Sequence, residues 1–258
     1  LKYVYNISAD ITDEGGETRS TNTSVTVSAS AVEANWDDLK ITPENQKTDI
    51  ILRRHLVAGG PAPGKGQWEL FLLKEPEKTV MPDEMSAPSY LKSLNTLGLR
   101  LPGDLQQSRW SPNYNWQAVV RDWKEKNQIK AGSLTTDDQG EAKLSLPELK
   151  AGAYRLRYKT KDEFGESVST QIEFFVINST YRPKLPFLFF ADKSTAKVGE
   201  SIKFWLPTGL QNQTLVFEVS QYSKLLERRY LKSDEDSGLI EWPIKEEHRG
   251  GLGFSVRL

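Results

Sequence analysis

The sequence contains no cysteine, only two histidines, and no run of 18 or more uninterrupted apolar residues. Each absence removes a class of protein. Without Cys there are no disulfides, no thiolate metal sites and no cysteine nucleophile. Small secreted animal domains usually lean on disulfides, so a chain without them points toward a bacterial source. Without a long apolar run, no helix is expected to span a membrane. Thirty-four Lys and Arg against 35 Asp and Glu leave a formal net charge of −1, which argues against nucleic acid, whose phosphates demand a basic face. His55 lies in an Arg-Arg-His-Leu strand and His248 in a Glu-Glu-His-Arg turn. Neither has an evident nucleophile partner, and two separate His without Cys do not make a zinc site. The chain opens inside a strand pattern at Leu1 with no signal peptide, so it is read as a segment excised from a longer protein.

What the sequence does contain is a repeated strand, turn and strand. In 154–176, Tyr154, Leu156, Tyr158 and Thr160 alternate with Arg155, Arg157, Lys159 and Lys161, and Val168, Ile172, Phe174 and Val176 resume the two-residue period. That is the pattern of paired strands with one face buried. Between them stands Asp162-Glu163-Phe164-Gly165-Glu166. An Asp can accept from amides ahead of it, and Gly takes the left-handed conformation that closes a type I turn with a bulge. Residues 3–27 repeat the unit: aligning Asp13 with Asp162 also aligns Tyr5 with Tyr154, Gly16 with Gly165, Glu17 with Glu166 and Val27 with Val176. Asp137 to Glu141 supplies a third Asp-x-x-Gly-Glu turn, centred on Gly140 and followed by Ala142, Leu144 and Leu146 at alternate positions. Repeated units of this kind imply an array of similar domains. Gly16 and Gly165 are expected to respond alike to substitution.

The remaining chain is read in order. Ser28 to Asn35, small and polar, reads as a linker. Leu39–Ile41 and Ile50–Leu56 are strand candidates, and Ala58–Gly66 (AGGPAPGKG) reads as a flexible hairpin connection. It is not a phosphate-binding loop, because Gly64-Lys65 is followed by Gly66 rather than Ser or Thr. From about 75 to 130 the β pattern lapses into a partly helical or irregular insertion broken by prolines 76, 82, 88, 102 and 112, with helical turns within 89–97. Long irregular excursions are often functional. This one holds Arg109 to Trp116, in which Trp110, Tyr114 and Trp116 are candidate binding residues for sugar or protein; packing onto the sheet beneath is the competing expectation. Asp234-Glu235-Asp236-Ser237-Gly238 opens like a calcium loop but lacks the downstream bidentate Glu, so a solvated turn is expected and no metal. Asp13, Asp137 and Asp162 recur at equivalent turns, which marks them as caps; a catalytic carboxylate pair would be unique.

A Thr-Asp-x-x-Gly-Glu turn (Thr136, Asp137, Gly140, Glu141), then Gly-x-Tyr (Gly152, Tyr154), then Asp-x-x-Gly-Glu (Asp162, Gly165, Glu166) and a strand ending in Val176 resembles the macroglobulin-type domains of bacterial alpha-2-macroglobulins. ADITDEGGETRS with SVTV resembles the closing hairpin of another such domain, and Ala191-Asp192-Lys193 with Val198-Gly199-Glu200 resembles the first strands of a third. The resemblance implies an all-β fold of tandem antiparallel β-sandwiches, of macroglobulin or fibronectin-III-like type. Its segments are a hairpin over 1–30 that ends a preceding domain, a central domain over 33–178 with the insertion at 75–130, and a truncated third domain over 184–258. In that family a bait segment is cut, the domains rearrange, and in many members a Cys-x-Glu-Gln thioester acylates the attacking protease. A chain without Cys cannot hold the thioester. The implied role is a non-enzymatic scaffold without cofactors in an exported protein of the periplasm or cell envelope, with proteases as partners through the full-length parent and other domains of the chain as neighbours. The alternative is a cell-surface adhesion or carbohydrate-binding module of Ig-like sandwiches.

Overall fold

The computed structural model describes residues 2–81, 115–233 and 239–257. In chain order the elements are β1 (Lys2–Thr12), β2 (Thr18–Ser28), β3 (Val32–Trp36), β4 (Ile41–Pro43), β5 (Asp49–Leu56), β6 (Gly64–Lys74), α1 (Trp116–Arg121), β7 (Lys124–Thr136), β8 (Glu141–Ser145), β9 (Gly152–Lys161) and β10 (Ser167–Ile177). There follow β11 (Phe190–Ala191), β12 (Ser201–Trp205), β13 (Thr214–Gln221), β14 (Lys224–Lys232), β15 (Leu239–Pro243) and β16 (Gly253–Arg257). The fold is all-β, built of antiparallel sheets stacked as sandwiches. Contacts divide the chain into two compact units, one of Leu1–Leu72, Glu125–Leu149 and Tyr154–Phe174, the other of Leu73–Lys124, Lys150–Ala153 and Phe175–Leu258.

The first unit opens with β1 and β2, paired in register so that Tyr3 faces Val27 and Tyr5 faces Val25. Their side chains are exposed, including Tyr5, Ile7 and Val25. In the same unit a three-stranded sheet, β3-β5-β8, faces a five-stranded one, β4-β10-β9-β6-β7. The alternation that suggested strands is the alternation that fills the space between: Ile50 and Leu52 of β5 pair with Leu144 and Ala142 of β8, and all four are buried. Trp36 meets Tyr158 edge-on, ring centroids 6.2 Å apart, and burying such a ring stabilises by about 1.5–3 kcal/mol.

Four expectations are corrected here. The linker expected over 28–35 gives way to β3 at Val32, because Val32 and Trp36 are buried and the strand pairs along β5. The 58–66 segment is no flexible hairpin connection, since β5 and β6 belong to different sheets. It is a crossover pinned by Arg54, whose guanidinium donates to the carbonyls of Ala62, Pro63 and Lys161, and by Thr136, whose hydroxyl accepts from the Gly64 N–H. The irregular stretch does not reach 130, because β7 begins at Lys124; its sequence there, KEKNQIK, is exposed and polar but for Ile129, so it carries no alternation to read. Finally, the outward row of β9 is not uniformly wet: Arg155 is buried.

The second unit contains α1, capped by Asn115, whose side chain accepts from the N–H groups of Gln117 and Ala118. An Asn at that position is a strong start signal, and it lies within the aromatic stretch that had been read for binding or for packing, not as a helix start. The unit also holds a second sandwich, in which β11-β12-β15 faces β14-β13-β16. Its core is Ile202, Phe204, Phe217, Val219, Ile240 and Trp242. The expected helical turns within 89–97 and the acidic turn at 234–238 lie outside the described residues.

Candidate functional site

The three acidic-glycine turns are the same object built three times. In each, the Asp N–H donates to the Glu carbonyl four residues on, at 2.9–3.0 Å, and the Gly N–H donates back to the Asp carbonyl at 2.9–3.1 Å. In each, one carboxylate oxygen accepts two amides: Gly15 and Glu17 at Asp13, Gln139 and Glu141 at Asp137, Phe164 and Glu166 at Asp162. Gly16, Gly140 and Gly165 have φ of 84°, 73° and 86°, the region where only glycine is unstrained. The Asp side chain replaces the hydrogen bonds that a reversing backbone would otherwise lose.

Asp162 does something its two counterparts do not. Its second oxygen accepts from the Ala31 N–H at 2.9 Å and from the Ser30 hydroxyl at 3.3 Å. The turn is thereby tied to the segment that enters β3. The Ala31 amide, ahead of those of Glu166 and Phe164 and of the Ser30 hydroxyl, holds the Asp162 carboxyl below the usual carboxylate range, with burial opposing. Nothing in local sequence separates Asp162 from Asp13; the distinction arises from a contact 131 residues away. Asp162→Asn keeps the turn acceptor but presents an NH2 group to the Ala31 N–H. It is therefore expected to lower Tm by several degrees, whereas Asp13→Asn and Asp137→Asn leave it nearly unchanged. A depressed folded-state pKa contributes stability above the unfolded-state value and loses it as pH falls through the folded one. The advantage of wild type over Asp162→Asn should accordingly begin to fall below about pH 4 and disappear once the pH passes below the lowered folded-state value. A scanning-calorimetry series over pH checks both statements; an equal response to Asn at all three turns would refute the assignment.

Of the candidate binding aromatics, Trp116 is the first residue of α1 and is half-buried. Its ring lies 5.4 Å from that of Phe175 and 6.1 Å from that of Phe190, with Trp123 and Tyr181 also against Phe175. It is engaged in packing. Trp110 and Tyr114 lie outside the described residues. His55 faces Glu33 at 3.4 Å on the surface, and buried His248 accepts the Lys245 N–H through Nδ1 and tilts against Trp242. These partners give each histidine a structural use. Among the described residues no cluster of three or more His, Asp or Glu is arranged to hold a metal ion, and no helix is long and apolar enough to cross a membrane.

Two features had no sequence signal. One is a charge network on the outer row of β9, where buried Arg155 bridges Glu173 at 2.8 Å and Glu125 at 3.2 Å, and Arg157 also reaches Glu125. The other is an open cleft of about 900 Å³ in the second sandwich, beside β16.

Comparison with family models and with curated proteins yields no match. Among solved structures the chain is similar to trypsin-activated alpha-2-macroglobulin from Escherichia coli (14% identity, TM-score 0.36), matching 95% of this chain and 17% of that one. It is also similar to a tetra-tandem repeat from the extending region of a large adhesion protein (10%, 0.30; 96% and 50% covered). A third likeness is to the fibronectin(III)-like modules of Clostridium thermocellum CbhA (12%, 0.28; 86% and 83% covered). The chain thus spans less than a fifth of the E. coli protein. At these values the likenesses reach no further than the β architecture described above.

Proposed function

We propose that this chain is a non-catalytic scaffold segment of a bacterial alpha-2-macroglobulin-like protease trap, exported to the periplasm or cell envelope. On this reading, 1–30 is the closing hairpin of one macroglobulin-like domain, 33–178 a central domain and 184–258 a third. The observation that carries the proposal is the triple recurrence of one hydrogen-bonded Asp-x-x-Gly-Glu reversal, joined to the Gly152-x-Tyr154 strand that resembles that family. Reversals locked by four short hydrogen bonds each suit a frame that must keep its shape while other parts of the protein are cut and rearrange. The partners of the complete protein are then proteases, and this segment contributes neither nucleophile nor thioester.

The test is to incubate the complete protein with a broad-specificity protease and resolve the products by size. Protease carried in covalent or size-shifted complexes is the expected result. Absence of any such complex, together with saturable glycan-array binding by the complete protein, would replace the trap with an adhesion module.

A further inference from the structure

Two arginines are buried among the described residues, and their charges are balanced differently. Arg155 bridges Glu173 at 2.8 Å. Arg54, 6% exposed, donates only to main-chain carbonyls, from Nη1 to Ala62 and Pro63 and from Nη2 to Lys161. Among the described residues no carboxylate pairs with it. A buried charge without a counter-charge is one of the costliest features a core can carry. Its Nε, moreover, is closed to solvent and donates to no acceptor.

Two further donors share that condition. The Trp36 Nε1–H and the Tyr158 hydroxyl are both buried without a hydrogen-bond partner. They belong to the same part of the core. Trp36 pairs with Leu52, and Ala34 with Arg54, across β3 and β5, so Trp36 and Arg54 are diagonal neighbours on the inward face. The Tyr158 ring comes from the facing sheet and meets Trp36 edge-on at 6.2 Å. Two glycines of β6 show where the arginine and the tyrosine end. A Cβ on Gly64 would lie 2.4 Å from Arg54 Nη1, and one on Gly66 would lie 2.4 Å from Tyr158 Oη. Alternate residues of a strand stand about 6.6 Å apart on one face. That separation is beyond a direct hydrogen bond and fits one atom bridging the two groups. The Tyr158 hydroxyl stands near that of Thr160 without completing a hydrogen bond to it. Burial, opposed by the Arg54 charge, pushes the phenol's pKa up, so its proton stays in place to be donated.

We propose that Arg54, Trp36 and Tyr158 hold one monatomic anion of chloride size inside the first sandwich. Water is the poorer occupant. It accepts from two of the three donors and brings two hydrogens of its own, while the nearby carbonyls of Ala62, Pro63 and Lys161 are already engaged by Arg54. An anion accepts from all three donors and supplies the negative charge that Arg54 lacks. The three donor atoms are closed to solvent, which disfavours a carboxylate, a phosphate or any other polyatomic ligand. In this place the ion fastens the 58–66 crossover, which already rests on Arg54, to the core beneath it.

The experiment titrates the full 258-residue chain with sodium bromide against sodium gluconate at constant ionic strength, follows Tm, and locates bromide in crystals by its anomalous scattering. The expected result is a saturating rise in Tm, with an anomalous peak within hydrogen-bond distance of Arg54 Nε and Tyr158 Oη. Tyr158→Phe keeps the ring and removes one donor to the ion. It should raise the half-saturating bromide concentration at least about tenfold. General salt effects act on both proteins alike, so an equal response of wild type and Tyr158→Phe overturns the proposal. Bromide peaks confined to the surface overturn it as well. So does density between Arg54 and Tyr158 without anomalous signal, which would assign the position to water.

Discussion

Gly140→Ala should destabilise the first sandwich by roughly 3–5 kcal/mol, several times the effect of the same change at Gly16 or Gly165. The three glycines share a left-handed backbone, so each substitution carries strain of about 1–2 kcal/mol. Their surroundings differ. A Cβ on Gly16 or Gly165 meets nothing within 4 Å, whereas one on Gly140 would sit 2.1 Å from the Arg54 carbonyl oxygen and 3.1 Å from the Ala62 nitrogen. Both are backbone atoms and cannot swing aside. Relieving the clash must stretch the Arg54 N–H to Gly140 carbonyl bond (2.7 Å) and the Ala62 N–H to Arg54 carbonyl bond (3.1 Å). Each costs about 1–3 kcal/mol if left unmade in a buried place. Urea unfolding followed through the buried Trp36 and Trp68 measures the difference. Equal midpoints for Gly140→Ala and Gly165→Ala would show that turn strain alone operates.

Arg155→Met should cost about 3–5 kcal/mol, and adding Glu173→Leu should recover most of it. The Arg155 and Glu173 side chains are 7% and 2% exposed, with Nε donating to Oε1 at 2.8 Å. Two unit charges at such a distance attract by about 6 kcal/mol at an effective dielectric of about 20. Removing each from water costs several kcal/mol, so the intact pair is close to neutral. Taking away one partner is a different matter, because Glu173 keeps its burial and, among the described residues, retains only the Gln171 amide at 2.8 Å. Glu125 is not stranded by the change, since Arg157 still reaches it. A double-mutant cycle on denaturant midpoints decides the matter. If the double variant is as unstable as Arg155→Met alone, the network is held by packing of the arginine stem rather than by compensated charge.

These two sites show where reading the chain succeeds and where it stops. The turn glycines were visible because an acidic residue three places before a glycine is local chemistry, complete within five residues. That Gly140 alone is walled in depends on β5 and the crossover passing beside it, which no five-residue window contains. Arg155 occupies the outward position of an alternating strand and was read as solvated; its burial follows from what covers that face. Asn115 is the opposite lesson, a helix cap written plainly in the sequence but obscured by the aromatic residues around it.

From residues alone follow the alternating strands, the acidic-glycine turns and the matching sequence pattern of 3–27 and 154–176, because two-residue periodicity and turn closure are properties of short segments. Only the folded chain decides which of three identical carboxylates becomes a tether, which glycine is walled in by backbone and which outward arginine is buried. Those depend on partners brought together across a hundred residues or more, where sheet stacking, not local preference, sets the distances.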